Sequence, residues 1–117
     1  MPYANIDVRP LNPTLGAEIH GVDLSRELDD ATVSDIRQAL LDHLVIFMPD
    51  QRIDAARQLA FARRFGEVEA PHPVFDVVPE VPEVTVIAQD GSADAPYNDV
   101  WHTDVTFREK PAMASIL

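Results

Sequence analysis

Residues 98–107 read NDVWHTDVTF, and this segment decides which fold and which chemistry the sequence predicts. It is rich in Val, Trp, Thr and Phe, which are residue types that favour β-strands. His102 and Asp104 are two positions apart within it. Because successive side chains of a strand point to opposite faces, the pattern predicts that this histidine and this aspartate project to the same side.

An imidazole nitrogen and a carboxylate oxygen on one side of a strand can share a cation such as Fe(II), Mn(II) or Zn(II). With a second histidine they would form a 2-His-1-carboxylate site with open positions for other ligands. The alternative is a structural pair in which His102 hydrogen-bonds to Asp104 without a metal. The spacing alone does not decide between the two, because a chain with 4 histidines and many aspartates contains such a pair by chance at an appreciable frequency.

The composition limits the classes of function. The chain has 117 residues, a net charge of −11 and no cysteine. This length predicts one modest domain. The negative charge argues against binding nucleic acid or an anionic membrane surface, although local cations can still bind an anionic substrate. The lack of cysteine excludes disulfides, zinc fingers, iron–sulfur clusters and thiol catalysis. We find no signal peptide or membrane-spanning run, so a soluble cytoplasmic protein is expected.

Hydrophobic periodicity and turn residues predict an α+β chain with two helices. The first helix starts at Asp29 or Asp30 and carries an apolar stripe that ends at Leu44; the second is capped by Asp54 and ended by Gly66. Prolines predict a largely irregular segment at 67–83. Strands are predicted at 5–11, 16–22, 44–48, 84–88, 101–107 and 112–117. Because the sequence stops within the apolar run MASIL, we expect it to be the N-terminal piece of a longer protein.

Four ordered blocks of the sequence resemble one known family. WHTDVTF, with the following Pro111 and ASIL, is similar to the metal-binding strand of the taurine/α-ketoglutarate dioxygenase family. Three earlier blocks resemble other segments of that family: LGAEIHGVDL at 15–24, HLVIFMPDQ at 43–51 and FGEVEAPHPV at 65–74. Four blocks in order cover nearly the whole chain and are far more specific than one tripeptide.

The resemblance implies a jelly-roll fold, also called a double-stranded β-helix or cupin-like fold. Residues 1–117 would be a single domain that forms the N-terminal part of this fold, with two flanking helices. The family implies Fe(II) as cofactor, with 2-oxoglutarate and O₂ as cosubstrates. It also implies hydroxylation of a small anionic substrate next to a sulfonate, sulfate or ether group, and assembly as a homodimer or homotetramer.

The same resemblance assigns roles to five residues of this sequence. His102 and Asp104 match two of the three iron ligands. His72 matches a contact to the anionic group of the substrate, and Asn98 matches a residue at the substrate and cosubstrate pocket. Phe75 stands where the taurine enzymes carry a tyrosine, and the lost hydroxyl removes one polar contact to a sulfonate. No catalytic residue is expected beyond the metal ligands.

The family's third iron ligand, a histidine, and the arginine that holds 2-oxoglutarate lie downstream of this motif, outside residues 1–117. If the chain were the whole molecule, we would expect weak metal binding and no turnover. An alternative is therefore a truncated or non-catalytic relative that only binds a partner. A zinc hydrolase built on His102 and Asp104 ranks last, because the sequence offers neither a third ligand nor an HExxH helix.

Overall fold

The computed structural model describes residues 2–71, 73–88 and 100–117, which form two compact units, one up to Gly66 and one from Glu67 onward. The elements in chain order are β1 Asp7–Pro10, β2 Ala17–His20, α1 Asp30–His43, β3 Ile46–Phe47, α2 Ala55–Arg63, β4 Val77–Val78 and β5 Val81–Thr85. The prediction of a mixed fold with two helices is confirmed. Within these residues we find no helix with both the length and the apolar character needed to cross a membrane.

The first unit is built on a three-stranded sheet with the order β1-β2-β3. β1 runs antiparallel to β2, with Val8 opposite Ile19, and β2 runs parallel to β3, with Ala17 opposite Ile46. In the central strand β2, Ala17 and Ile19 are buried while the residues that alternate with them are half-exposed. This alternation follows from the pleat and places one face of β2 in the core.

Helix α1 covers that sheet. Asp29 caps it, since its side chain accepts a hydrogen bond of 2.7 Å from the Thr32 amide. Its buried residues recur every three positions and form one stripe along the helix: Val33, Ile36 and Ala39. The prediction extended this stripe to Leu44, and that is wrong. Leu44 has φ 67 at the end of the helix, and it is 66% exposed.

Helix α2 begins as predicted, with the Asp54 side chain accepting a 2.8 Å hydrogen bond from the Arg57 amide. Leu59 and Phe61 are its buried residues, and the Phe61 ring meets Phe65 edge-on with centroids 5.0 Å apart. The core of the first unit therefore draws on both helices and on β2. In the described part of the chain, the buried apolar side chains are Ala17, Ile19, Leu24, Val33, Ile36, Ala39, Leu59 and Phe61.

The side chain of Gln51 ties two loops of this unit together. Its Oε1 accepts a 2.8 Å hydrogen bond from the Leu24 amide, and its Nε2 donates to the Val22 carbonyl at 2.9 Å. The Gln51 side-chain amide thus pairs with one backbone N–H and one backbone carbonyl between β2 and α1, as the backbone of a neighbouring strand would. Gln51, which follows Asp50 in the loop before α2, therefore has a structural role.

The N-terminal segment is tied to the exposed face of α1. Asp35 Oδ2 accepts hydrogen bonds from the amides of Ala4 and Asn5 at 3.0 and 2.8 Å, and the Tyr3 hydroxyl donates to Asp42 Oδ2 at 2.6 Å. The amide of Asn5 holds the pKa of the Asp35 carboxyl below its ordinary value. Partial burial, then the hydrogen bond to Asp42 and the charges of Asp42 and Asp35, raise the pKa of Tyr3 to about 12.

We expect Asp42→Asn to lower the pKa of the Tyr3 phenol from about 12 toward its ordinary value of 10.0, since both the bond to a carboxylate and its charge are lost. A spectrophotometric titration of the phenolate at alkaline pH measures this, and Tyr3→Phe identifies the Tyr3 step. Because burial and then the bond to Asp42 disfavour the phenolate, the contribution of protonated Tyr3 to stability is fully present below pH 10 and is lost as the pH rises toward 12. An unchanged Tyr3 titration in Asp42→Asn would show that the hydroxyl is not bonded to Asp42.

The second unit contains a hairpin where the sequence predicted an irregular segment. β4 and β5 are antiparallel, with Val78 opposite Val81 across the turn at Pro79 and Glu80. The prolines are tolerated because Pro79 lies in the turn and Pro82 lies in a two-stranded sheet, where each strand has one unpaired edge. β5 therefore starts three residues before the predicted strand at 84–88 and ends at Thr85.

The predicted strands at 101–107 and 112–117 are also wrong for this structure. Residues 104–107 form a turn, with the Arg108 amide bonded to the Val105 carbonyl at 3.1 Å and with Val105 at φ 48. A positive φ at a β-branched residue breaks the extended path. Strand-forming residues become a strand only where a neighbouring strand takes their backbone hydrogen bonds, and no described segment pairs with these residues.

Candidate metal centre

His102 and Asp104, the pair predicted to share a cation, lie close together in the second unit. His102 Nε2 is 3.3 Å from Asp104 Oδ1. The predicted strand is absent, since residues 101–103 belong to no helix or strand and a turn begins at Asp104, so the two side chains come together in an irregular segment. The imidazole and the carboxylate nevertheless present one donor atom each to the same space.

The other ring nitrogen of His102 fixes which nitrogen can bind a cation. His102 Nδ1 is 2.6 Å from the carbonyl oxygen of Val100. A carbonyl can only accept, so Nδ1 carries the proton and donates it. In the neutral ring the lone pair is then on Nε2, the nitrogen that faces Asp104. Metal-binding histidines commonly donate their second ring N–H to a backbone carbonyl in this way.

The 3.3 Å separation fits a cation-binding pair. Two donor atoms bound at right angles to one ion, each with a bond of about 2.1 Å, lie about 3 Å apart. A direct charge-assisted hydrogen bond between the two side chains would be shorter, at about 2.7–2.9 Å. The same 3.3 Å also lies within the distance of an ion pair between a protonated imidazole and a carboxylate. The separation is therefore compatible with both interpretations left open by the sequence, and the metal site stays a prediction.

The second carboxylate oxygen of Asp104 has its own partner. The Ser115 hydroxyl donates to Asp104 Oδ2 at 3.1 Å. The side chains of His102 and Asp104 are 47% and 63% exposed, so the pair is open to further ligands. Among the described residues, no third histidine, aspartate or glutamate is placed to share a cation with them.

The remaining predicted site residues are Phe75, His72 and Asn98. Phe75 is half-buried in the bend that precedes β4. His72 and Asn98 lie outside the described residues. The structure thus brings together the two predicted metal ligands, while the three predicted contacts to substrate and cosubstrate stay predictions.

An ion pair lies in the same unit, close in sequence to the site. Arg108 Nε is 2.9 Å from Glu69 Oε2, although the two atoms are not aligned for a hydrogen bond, and the Arg108 guanidinium lies 5.5 Å from the centre of the Phe107 ring. Arg108 therefore links the start of the second unit to the end of the turn that begins at Asp104. Its charge is partly balanced by Glu69.

Two contributors to the site were missed by sequence reasoning. The Val100 carbonyl could not be found from the sequence, because every residue has a backbone carbonyl. Ser115 did have a signal, as the one hydroxyl in the final segment MASIL, but that segment was interpreted only as an apolar run. A serine at an otherwise apolar position downstream of a candidate ligand is the kind of residue that can orient it.

A histidine and a carboxylate that are oriented by second partners and open to solvent define a candidate centre of a metal-dependent enzyme. Residues 7–117 match the family model described as "Taurine catabolism dioxygenase TauD, TfdA family". The match covers nearly all of the chain, so the chain belongs to this family.

Three relatives illustrate what the chain is similar to. It is 44% identical to an alpha-ketoglutarate-dependent sulfate ester dioxygenase of Pseudomonas putida, over 99% of this chain and 38% of that protein. It is 31% identical to an (S)-phenoxypropionate/alpha-ketoglutarate-dioxygenase of Sphingobium herbicidovorans, over 94% of this chain and 39% of that protein. A solved taurine dioxygenase from Burkholderia xenovorans superposes with a TM-score of 0.64 at 44% identity, over 68% of this chain and 28% of that one. The chain thus spans less than two-fifths of the length of these relatives.

Proposed function

We propose that the complete protein, meaning the whole reading frame that contains these residues, is an Fe(II)- and 2-oxoglutarate-dependent dioxygenase that hydroxylates a small anionic organic substrate. The observation that carries the proposal is the pair His102 and Asp104, with an Nε2 lone pair 3.3 Å from a carboxylate oxygen. Bound Fe(II) would supply the activation of O₂, with 2-oxoglutarate as the source of two electrons. In the protein, Nε2 and Oδ1 would hold the metal, and the exposed side of the pair would leave room for the cosubstrate and O₂.

We propose further that residues 1–117 are the N-terminal part of a longer jelly-roll domain, which supplies a third ligand histidine and an arginine for 2-oxoglutarate. Two observations support this. The chain spans 38% of its relative from Pseudomonas putida. The second unit exposes many large apolar side chains, which mark surfaces that other parts of a protein cover: Val74, Ile87, Val100, Trp101, Phe107 and Leu117.

The substrate is proposed as a sulfonate, a sulfate ester or an aryloxy acid, bound through His72, Asn98 and Phe75, with Asn98 also at the cosubstrate. The names of the three relatives cover these three classes. Phe75 cannot donate a hydrogen bond, which weakens the case for taurine relative to the other two. We also propose a cytoplasmic homodimer or homotetramer, on the strength of the family resemblance.

The proposal is tested by incubating the complete protein with Fe(II), 2-oxoglutarate and one anion at a time: taurine, an alkyl sulfate and a phenoxypropionate. We expect one class to raise succinate formation well above the substrate-free rate, with about one hydroxylated product per succinate. Omitting 2-oxoglutarate, or removing the metal with a chelator, should abolish both products. If none of the three classes raises succinate formation, the alternative of a non-catalytic relative is the better description.

A further inference from the structure

We propose that Ser115 is a positioning residue that orients the Asp104 carboxylate for one-oxygen binding of the metal. The inference rests on the proposed function, because it concerns the same site. It goes beyond that function by giving a role to a residue outside the His-x-Asp motif. The structure places the hydroxyl of Ser115 against one oxygen of Asp104, and it places His102 against the other.

The two oxygens of Asp104 have different partners. Oδ1 lies 3.3 Å from His102 Nε2, on the side where a cation would be held. Oδ2 accepts the hydrogen bond of 3.1 Å from Ser115 Oγ. A carboxylate oxygen has two lone pairs, and the Ser115 proton draws negative charge toward one of those on Oδ2, which makes Oδ1 the better donor to a metal. The hydrogen bond also favours one orientation of the carboxylate about its last side-chain bond.

This orientation matters for the number of open positions at the metal. A carboxylate that binds through both oxygens would occupy two positions, while one that binds through Oδ1 alone occupies one. A site with two histidines and one carboxylate keeps three positions open only in the second case. We infer that Ser115 preserves an open position by holding Oδ2 away from the metal, as Val100 fixes the histidine through Nδ1.

A purely structural role explains the contact less well. Ser115 and Asp104 are exposed, and a solvent-exposed hydrogen bond contributes little to folding. The contact joins residues that are 11 positions apart, and the segment between them forms neither helix nor strand in this structure. Loss of an orienting partner of a metal ligand, by contrast, typically lowers metal affinity by about 10–100-fold.

The test is a Mn(II) titration of the complete protein, followed by the EPR signal of the free ion. We expect Ser115→Ala to raise the dissociation constant about tenfold, at the low end of the usual range because the bond is exposed. Ser115→Thr keeps a hydroxyl at the same position and should bind Mn(II) nearly as tightly as the wild type. Thermal unfolding should be the same in all three proteins, which separates orientation of the ligand from a general loss of structure.

Ser25 provides a matched control. Its hydroxyl donates to Asp23 Oδ1 at 2.6 Å, which is a bond of the same kind in the first unit. Ser25→Ala should leave Mn(II) affinity unchanged. The proposal is overturned if Ser115→Ala binds Mn(II) as tightly as the wild type, or if Ser115→Thr weakens binding as much as Ser115→Ala does.

A His102→Ala variant separates failure of this inference from failure of the proposed function. If Mn(II) binding depends on His102 but not on Ser115, the metal site stands and only the role of Ser115 is wrong. If Mn(II) binding is the same with and without the His102 imidazole, the metal site itself is wrong and the role of Ser115 falls with it.

Discussion

We expect His102→Ala to abolish metal-dependent succinate formation in the complete protein, and we expect Asp104→Ala to do the same. Each substitution removes one of the two donor atoms that lie 3.3 Å apart. The remaining donor and the proposed third ligand histidine would hold the ion more weakly and in a looser geometry, which we expect to be too loose for turnover. Residues that act as one unit lose function together, so the double variant should be no worse than either single variant.

Succinate is measured in the presence of 2-oxoglutarate, Fe(II) and the best substrate of the panel. His20→Gln is the matched control, because His20 is also a half-exposed histidine beside a carboxylate, with Nε2 2.9 Å from Glu18 Oε2. It lies on β2 in the first unit and should keep the activity of the wild type. A wild-type yield of succinate in His102→Ala or in Asp104→Ala would remove the basis of the assignment.

The second large effect is on stability. We expect Ile36→Ala to lower the free energy of unfolding by about 2–5 kcal/mol, as other large-to-small substitutions in cores do. Ile36 is 0% exposed and lies in the stripe of α1 that contacts the sheet. The cost combines the lost burial of three carbons with the cavity that they leave.

Chemical denaturation followed by circular dichroism measures this loss. Ile36→Val keeps most of the side-chain volume and should cost about 0.5–1.5 kcal/mol. Ser34→Ala is the surface control on the same helix and should change stability by less than about 0.5 kcal/mol, because Ser34 is exposed. If Ile36→Ala is as stable as Ser34→Ala, then α1 does not pack against the sheet as described.

Both helices could be predicted from the sequence because their signals are local. Asp29 and Asp54 cap the first turns from the positions that the sequence marks. Val33 and Ile36 are buried at the helical spacing that defined the stripe. A capping side chain bonds to an amide three residues further on, and an apolar stripe is defined by residues in successive turns. Both signals are therefore independent of distant parts of the chain.

The strands after Gly66 were predicted less well, because a strand depends on its partner. β4 and β5 were hidden by Pro79 and Pro82, which are tolerated at a turn and at an unpaired edge. Residues 101–107 have the composition of a strand but lack a pairing partner among the described residues. The composition of a segment shows that it can form a strand. The strand forms only when a neighbouring segment pairs with its backbone groups.

For the candidate site, the sequence predicted which two side chains meet but not how they meet. The sequence predicted that His102 and Asp104 lie on one side of a strand, and the structure brings them together in a segment that is not a strand. The orientation of the ring depends on the carbonyl of Val100, and that of the carboxylate depends on Ser115. The Val100 carbonyl cannot be found from residue types, and the Ser115 hydroxyl can only be noticed as a candidate, because both contacts depend on the path of the backbone around the pair.

The central claim, that His102 Nε2 and Asp104 Oδ1 hold one metal ion, is tested most directly by pulsed EPR of the Mn(II) complex of the complete protein. Modulation from histidine nitrogen reports each imidazole bound to the ion. We predict two imidazole couplings in the wild type and one in His102→Ala, with Mn(II) bound more weakly in the variant. The same nitrogen couplings and the same affinity in both proteins would contradict the account.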